Sequence, residues 1–580
     1  MSALNVFALL AKPDLTLQAK EQRQADPEFI ARCAIGTLAP KLPLPWPTPP
    51  VVGPSPKPRY RSDYQPPEQS RLPELDEAAW QQIGLFDVLL ALIDFSGLRP
   101  VLAEKLYRRS ARGRVPFDPI SLLLLFFWQT INRWCRLEVL RRLALSRNAD
   151  YARSFGFRAD TRPSESGYRY FLTVLGRKYL NDLIKQSMDL IYEAGVLPLD
   201  VLKHAIVGFD GQIHDAASRL RCHDVQASCY QPTSPEEPRP CPAKAKGKEG
   251  CDCDTTRCRL ACKRATPWDP DARYVFHRKS NQSRQDEQAE GPQAPAQPSP
   301  TSEQQPAEPS PSGANPPAGE EHYGYSSLPA RLTDPLDRTA FTLGASPLAG
   351  ANEREEERAA ALLQWVVSTY DYLHVEFAVG DAGFGYEPFL AKAAELHVRR
   401  VVDLRADPRT DNDKGEWVVR GYDNVGWPVC EFGYRLHPNG FDSERHRSKW
   451  YCGHACENLA ASGAPGSQPA PDCAYRDRST HPFGRIIDVG ATFADNSYRL
   501  VRDVPYDSPN WKLIYRRTRN ASEERNSEMQ ALGLKRLSVF GAARAQAALF
   551  LAEVLGNLLT LARFVKEATL AALAKARQAG

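Results

Sequence analysis

Two aspartates and one glutamate carry the strongest chemical signal in this chain. Asp210 closes the apolar run His204-Ala-Ile-Val-Gly-Phe and is followed by Gly-Gln; Asp381 closes Phe377-Ala-Val-Gly and is followed by Ala-Gly. Short apolar runs bounded by small-residue turns predict buried strands. An acid at the C-terminal end of such a strand projects into the crevice where α/β proteins bind ligands; a lone one is more often a turn or helix cap, and two in matching contexts shift that balance. The third acid stands in Asn520-Ala-Ser-Glu523-Glu-Arg-Asn-Ser527-Glu-Met-Gln530. Asn520 is expected to cap a helix there, with Glu523 reaching back from the third helical position. Glu523, Ser527 and Gln530 would share one face, and Arg519 stands four residues before Glu523.

Cysteine offers a second chemistry. Of 13 cysteines, seven fall within 222–262 and four within 430–473. Soft thiolates select zinc. Cys251, Cys253, Cys258 and Cys262 are candidate ligands in the first group, and Cys452, Cys456 and Cys473, joined by Cys430, in the second. The spacings are irregular, and unligated thiols in a flexible insert are the other reading. Cys33 and Cys135 stand alone and read as ordinary thiols.

The elements that position these groups follow from patterning. With 580 residues the chain exceeds one compact core, and roughly two to four units are expected. Residues 1–75 form a proline-rich arm without a core pattern. Residues 76–195 read as an all-helical domain. Asp118-Pro119 is a cap followed by a proline at the first helical position, and ISLLLLFFWQTINRW is the buried helix after it. Further helices are expected over 138–146 and from Pro163-Ser164-Glu165. Beyond 196 the period changes to strands at 204–210, 377–381 and 400–404, with helices from Asn352 to Val367 and over 387–396. From Asn520 to about 575 the pattern is nearly all helical. The pattern is therefore that of the α/β fold class. It is interrupted by a Cys-rich insert (222–262), a disordered insert (280–320) and an insertion region holding the second cysteine group (406–510).

Net charge is +4, too weakly basic by itself to argue for a nucleic-acid partner. The charge is patchy, with one run from Lys105 through Arg112 and Arg114 and another at Arg516, Arg517 and Arg519. No signal peptide is evident. Leu122 to Trp128 is too short to span a membrane, and Leu549 to Val565 is interrupted by Glu553, Asn557 and Arg563. Both are expected to be core helices of a cytoplasmic protein with no membrane partner.

Taken in order, the motifs resemble the DDE transposases of bacterial insertion sequences, whose catalytic fold is RNase H-like. The resemblance covers roughly residues 85–215, 269–445 and 473–570. Ile-Val-Gly-Phe-Asp210-Gly is similar to the family's first motif, and Gly380-Asp381-Ala-Gly-Phe384 to its second, with Arg400-Val-Val-Asp-Leu-Arg405 as the next strand. Arg519, Glu523 and the trailing Glu-Arg-Asn-Ser resemble the third. His322-Tyr-Gly-Tyr325, Asp269-Pro-Asp-Ala-Arg273 and Phe483-Gly-Arg485 are lesser echoes in the correct order. The chain departs from the pattern at Tyr515, one position early, and where Ser326, Glu524 and Gln530 replace basic residues.

The resemblance implies that residues 196–580 form an RNase H-like catalytic domain, a mixed sheet with flanking helices. Its three carboxylates would bind Mg²⁺ or Mn²⁺, Asp210 bridging two ions and Asp381 and Glu523 each completing one. Arg519 would hold a phosphate or orient the glutamate. Arg516, Arg517, Arg112 and Arg114 are further phosphate candidates. The partner would be double-stranded DNA, both terminal inverted repeats and target, with a homodimer expected. Two other readings stay open: an RNase H-fold nuclease without strand transfer, and a catalytically impaired, zinc-containing DNA-binding protein.

Overall fold

Asp118-Pro119 starts a helix as the sequence predicts. The computed structural model describes residues 42–43, 60–66, 75–107, 115–158, 161–217, 220–222, 265–267, 269–278, 319–334, 339–404, 422–423, 426–442, 444–462, 471–490 and 502–579. The Asp118 carboxylate accepts the Ile120 N–H at 2.9 Å, and helix α1 (Pro119–Ile131) is buried from Pro119 to Thr130. Ser164 likewise caps α2 (Glu165–Leu175), accepting the Gly167 N–H. Helix α3 (Asn181–Glu193) completes the set that matters for the site.

The arm is not wholly without a core. Tyr64 is buried, its N–H donates to Asp118 and its carbonyl accepts from Arg99 at 2.5 Å. Scattered aromatics among prolines have no periodicity, so no pattern announced it. Most of the arm, the Cys-rich insert after Cys222 and positions 280–318 lie outside the described residues.

Eleven strands matter here. In chain order they are β1 (Ala205–Phe209), β2 (Gln212–Asp215), β3 (Arg273–Arg278), β4 (Gly319–Ser327), β5 (Pro329–Asp334), β6 (Thr339–Ala345), β7 (Val375–Gly380), β8 (Arg399–Val402), β9 (His437–Asp442), β10 (Arg447–Tyr451) and β11 (Ile486–Val489). The main sheet has the order β6-β5-β1-β7-β8. β5 is antiparallel to both β1 and β6, while β7 runs parallel to both β1 and β8. Parallel neighbours need crossovers. Helix α4 (Glu356–Thr369) connects β6 to β7, and α5 (Glu387–Glu395) connects β7 to β8, the expected strand–helix–strand unit.

All five residues of β1 are buried because both faces of the sheet are covered. Ile206, Phe377, Val379 and Val401 face Trp511 and Ile514 of α6 (Pro509–Ala531). Their strand neighbours Val207, Phe209, Ala378 and Val402 belong to the larger core. That core runs without a break into the N-terminal helices through α7 (Ala542–Ala579), which packs on α2, α3 and β6. Two amides tie the layers together. Asn557 bonds both backbone groups of Thr342 and the Ser187 hydroxyl, and Asn181 pairs with the backbone of Ala345. Both satisfy backbone of edge strand β6 that would otherwise be buried unpaired. The apolar window of α7 is long enough to cross a membrane by length and composition, yet 83% of it is buried inside the fold.

A second sheet joins β2, β4 and β3, and His322-Tyr-Gly-Tyr325 lies in β4 as expected. Asp269 is structural, accepting from the Tyr325 hydroxyl and from the Gly541 N–H before α7. β9, β10 and β11 form a third sheet around Leu436, Trp450 and Val489.

Two helix starts differ from expectation. α4 begins at Glu356, four residues after Asn352, so that asparagine does not cap it. Asn520 does not cap either. α6 runs unbroken from Pro509 and is capped by Ser508, whose hydroxyl accepts the Trp511 N–H at 3.2 Å. Ser508-Pro509 supplies an earlier start, and a helix already under way has no orphan N–H groups at Asn520 to satisfy.

Candidate active site

Register places the two aspartates side by side. Gly208 of β1 pairs with Val379 of β7, and each stands two residues before its acid. Asp210 and Asp381 therefore leave adjacent parallel strands at the same level. Helix α6 reaches them because residue 208 is glycine. A Cβ there would come within 2.8 Å of the Thr518 methyl and 3.0 Å of the Ser522 hydroxyl.

From α6, Arg519 donates through Nη1 to Asp210 Oδ1 at 2.6 Å and through Nη2 to Glu523 Oε1 at 3.3 Å. Asn526 donates to the other oxygen of Asp210 at 2.5 Å. Residues 519, 523 and 526 follow helical spacing, so one face of α6 presents all three. The Glu523 side chain is 59% exposed, whereas Asp210 is buried. Asp381 accepts the Gly383 N–H at 2.8 Å, capping the turn after β7. Burial raises its pKa and Asp210 adds to the rise, while the Arg519 charge and the Gly383 bond oppose it. The guanidinium of Arg519 thus bridges Asp210 and Glu523 and also acts on Asp381. Among the described residues, no group of three or more His, Cys, Asp or Glu side chains is arranged to hold a metal ion.

Two members of this cluster were not singled out from sequence. Asn526 is one. Its spacing of three from Glu523 was available, but Ser527 and Gln530 were placed on that face instead. Ser527 bonds its own helix, at the Glu523 carbonyl, and Gln530 is exposed. Glu355 is the other. Its carboxylate lies over Gly211, where a Cβ would come within 2.2 Å of Oε2, and it accepts from the Ser326 hydroxyl at 2.8 Å. Burial raises its pKa; Ser326 and Arg358 oppose the rise, and Asp381 and Asp210 reinforce it. Nothing distinguished Glu355 within Glu353-Arg-Glu-Glu-Glu357, since four acids crowd the stretch that leads into a helix.

The remaining candidates divide. Glu524 is exposed, and Glu528 is bonded to Arg525 at 3.0 Å and Arg563 at 2.8 Å. Arg516 is exposed on α6, Arg517 is half-buried, and Arg112 and Arg114 lie outside the described residues. Lys105 is held by Asp182 at 2.7 Å and the Tyr179 carbonyl at 2.9 Å, so it serves the helical packing.

Cys251, Cys253, Cys258 and Cys262 lie outside the described residues. Cys452, Cys456 and Cys473 are half-buried thiols beside the third sheet, Cys452 just after β10 and Cys456 in the short helix Ala455–Ala461. The His454 N–H donates to Cys452 Sγ at 3.3 Å. Burial raises the Cys456 thiol, and the neighbouring thiols Cys452 and Cys473 add to the effect. Comparison of the chain with models of protein families, with curated proteins and with solved structures finds no match.

Proposed function

We propose that this protein is a DDE transposase that cleaves the ends of a DNA element and joins them to target DNA. The observation that carries the reading is the level placement of Asp210 and Asp381 on adjacent strands under the Arg519–Glu523–Asn526 face of α6. The mixed five-stranded sheet with helices on both faces supports the RNase H-like fold that the motifs imply.

The donor set suits Mg²⁺ or Mn²⁺, because carboxylate oxygens are hard ligands and the cluster already draws a cationic side chain to its centre. Asp210, Asp381 and Glu523 would hold the ions, which when bound activate a water or 3′-hydroxyl and stabilise the departing oxyanion. Asn526 fixes one oxygen of Asp210, and Gly383 fixes one of Asp381, so both acids are oriented before substrate arrives. Arg516 and Arg519, on the same helix, would meet phosphate. Arg358 brings a positive charge beside Ser326, bonding its hydroxyl and carbonyl at 3.2 and 3.1 Å.

The test uses purified protein, Mg²⁺ or Mn²⁺, and end-labelled duplexes carrying the DNA that flanks the coding region on either side. Nicks at the element's ends and joined target products are the expected result. Nicks without joining would mean a nuclease, and DNA binding with neither product a non-catalytic protein.

For the cysteines we propose structural zinc, because soft thiolates select it over harder ions. Metal analysis of purified protein is expected to return zinc, and Cys452→Ser to lower the amount. A preparation free of zinc would end that reading for both cysteine groups.

A further inference from the structure

Arg519 has two partners to choose between. In the free protein it is bonded to Asp210 at 2.6 Å and to Glu523 at 3.3 Å, and Asn526 takes the second oxygen of Asp210. Both oxygens of the central acid are therefore engaged by protein donors. A divalent cation placed on Asp210 would sit against the guanidinium, and like charges at contact distance repel strongly in a partly buried cleft. Arg519 lies one turn from the exposed Arg516, and its own side chain is partly exposed. A phosphate offers the guanidinium a second planar, bidentate partner.

We propose that Arg519 exchanges Asp210 for a phosphate of bound DNA, so that DNA and the divalent cation bind this site cooperatively. Without DNA the arginine neutralises the carboxylates and weakens cation binding. With DNA the arginine turns to the backbone and Asp210 is released to the cation. Linkage makes the coupling reciprocal, so cation tightens DNA by the same factor that DNA tightens cation. The arrangement keeps the cutting centre unloaded until its substrate is in place. This inference rests on the proposed metal-dependent reading of the site.

The test needs no turnover. Mn²⁺ binding to the full chain without DNA is measured by electron paramagnetic resonance for the wild type, Arg519→Met, Arg519→Lys and Asp210→Asn. Arg519→Met keeps the aliphatic stem and should bind Mn²⁺ about tenfold tighter or more. Arg519→Lys keeps the charge and should stay near wild type. Asp210→Asn should lose the site. In a second arm, fluorescence anisotropy follows a labelled duplex with and without Ca²⁺. Ca²⁺ should tighten DNA binding to the wild type and not to Arg519→Met. Equal Mn²⁺ affinity in wild type and Arg519→Met, or equal Ca²⁺ enhancement of DNA binding in both, would overturn the exchange. If Asp210→Asn binds Mn²⁺ as the wild type does, the metal-site reading itself fails instead.

Discussion

Asp210→Asn is expected to lower DNA cleavage by about 10³-fold, roughly 4 kcal/mol of barrier, while DNA binding is unchanged or slightly tighter. Asp210 is the acid on which the cluster converges: it neighbours Asp381 by register and accepts from both Arg519 and Asn526. The substitution keeps shape and removes charge, so the sheet should survive it. Glu523→Gln should act in the same direction, because Glu523 shares the Arg519 guanidinium with Asp210. Its neighbours make good controls. Glu524 is exposed, and Glu524→Gln should cleave normally. Glu528 bridges Arg525 and Arg563, so Glu528→Gln should cost about 1 kcal/mol of stability and little activity. Rates on an end-labelled duplex decide the matter. If Glu523→Gln cuts normally while a neighbour's change stops cleavage, the third acid has been assigned to the wrong residue.

Asp503→Ala is expected to cost about 3–5 kcal/mol, the largest stability effect of any single change considered. Arg400 of β8 donates its backbone N–H, Nε and Nη2 to the Asp503 carboxylate at 2.8, 2.7 and 2.8 Å, and both residues are buried. Removing the acid leaves an uncompensated guanidinium beside the strand that flanks Asp381. Burial by itself would raise the pKa of Asp503, but the Arg400 charge and hydrogen bonds outweigh it and hold the carboxyl below the usual range. A lowered folded-state pKa stabilises above the unfolded value of about 4, and that stability is lost as pH falls through the folded value. The gap between wild type and Asp503→Ala should therefore narrow in acid. Urea unfolding at neutral pH and below about pH 4 measures both quantities. A cost under about 1 kcal/mol at neutral pH would show that the pair does not hold this edge of the sheet.

Local chemistry was readable along the chain. Asp118-Pro119 and Ser164-Glu165 announced their helices because a cap and its first turn are neighbours in sequence. The runs ending at Asp210 and Asp381 announced strands because continuous apolar residues of that length fit little else. The capping box at Asn520 misled for the same reason: the local pattern was genuine, but Ser508-Pro509 had already begun the helix. Tyr64 was hidden in a proline-rich stretch because a single buried ring has no period.

What the sequence by itself determined is the inventory: two strand-end aspartates, a helix carrying Arg519 and Glu523, and the cores that bury those elements. Each is set by residues within a few positions of one another. Only the tertiary structure decided who meets whom. Register put Asp381 level with Asp210, glycine at 208 let α6 approach, and Arg519 reached Asp210 across 309 positions. Glu355 joined them because Gly211 leaves room for its carboxylate, one acid among four in its run. Strand order and close approach are set by contacts between distant segments, whose energies no local spacing records.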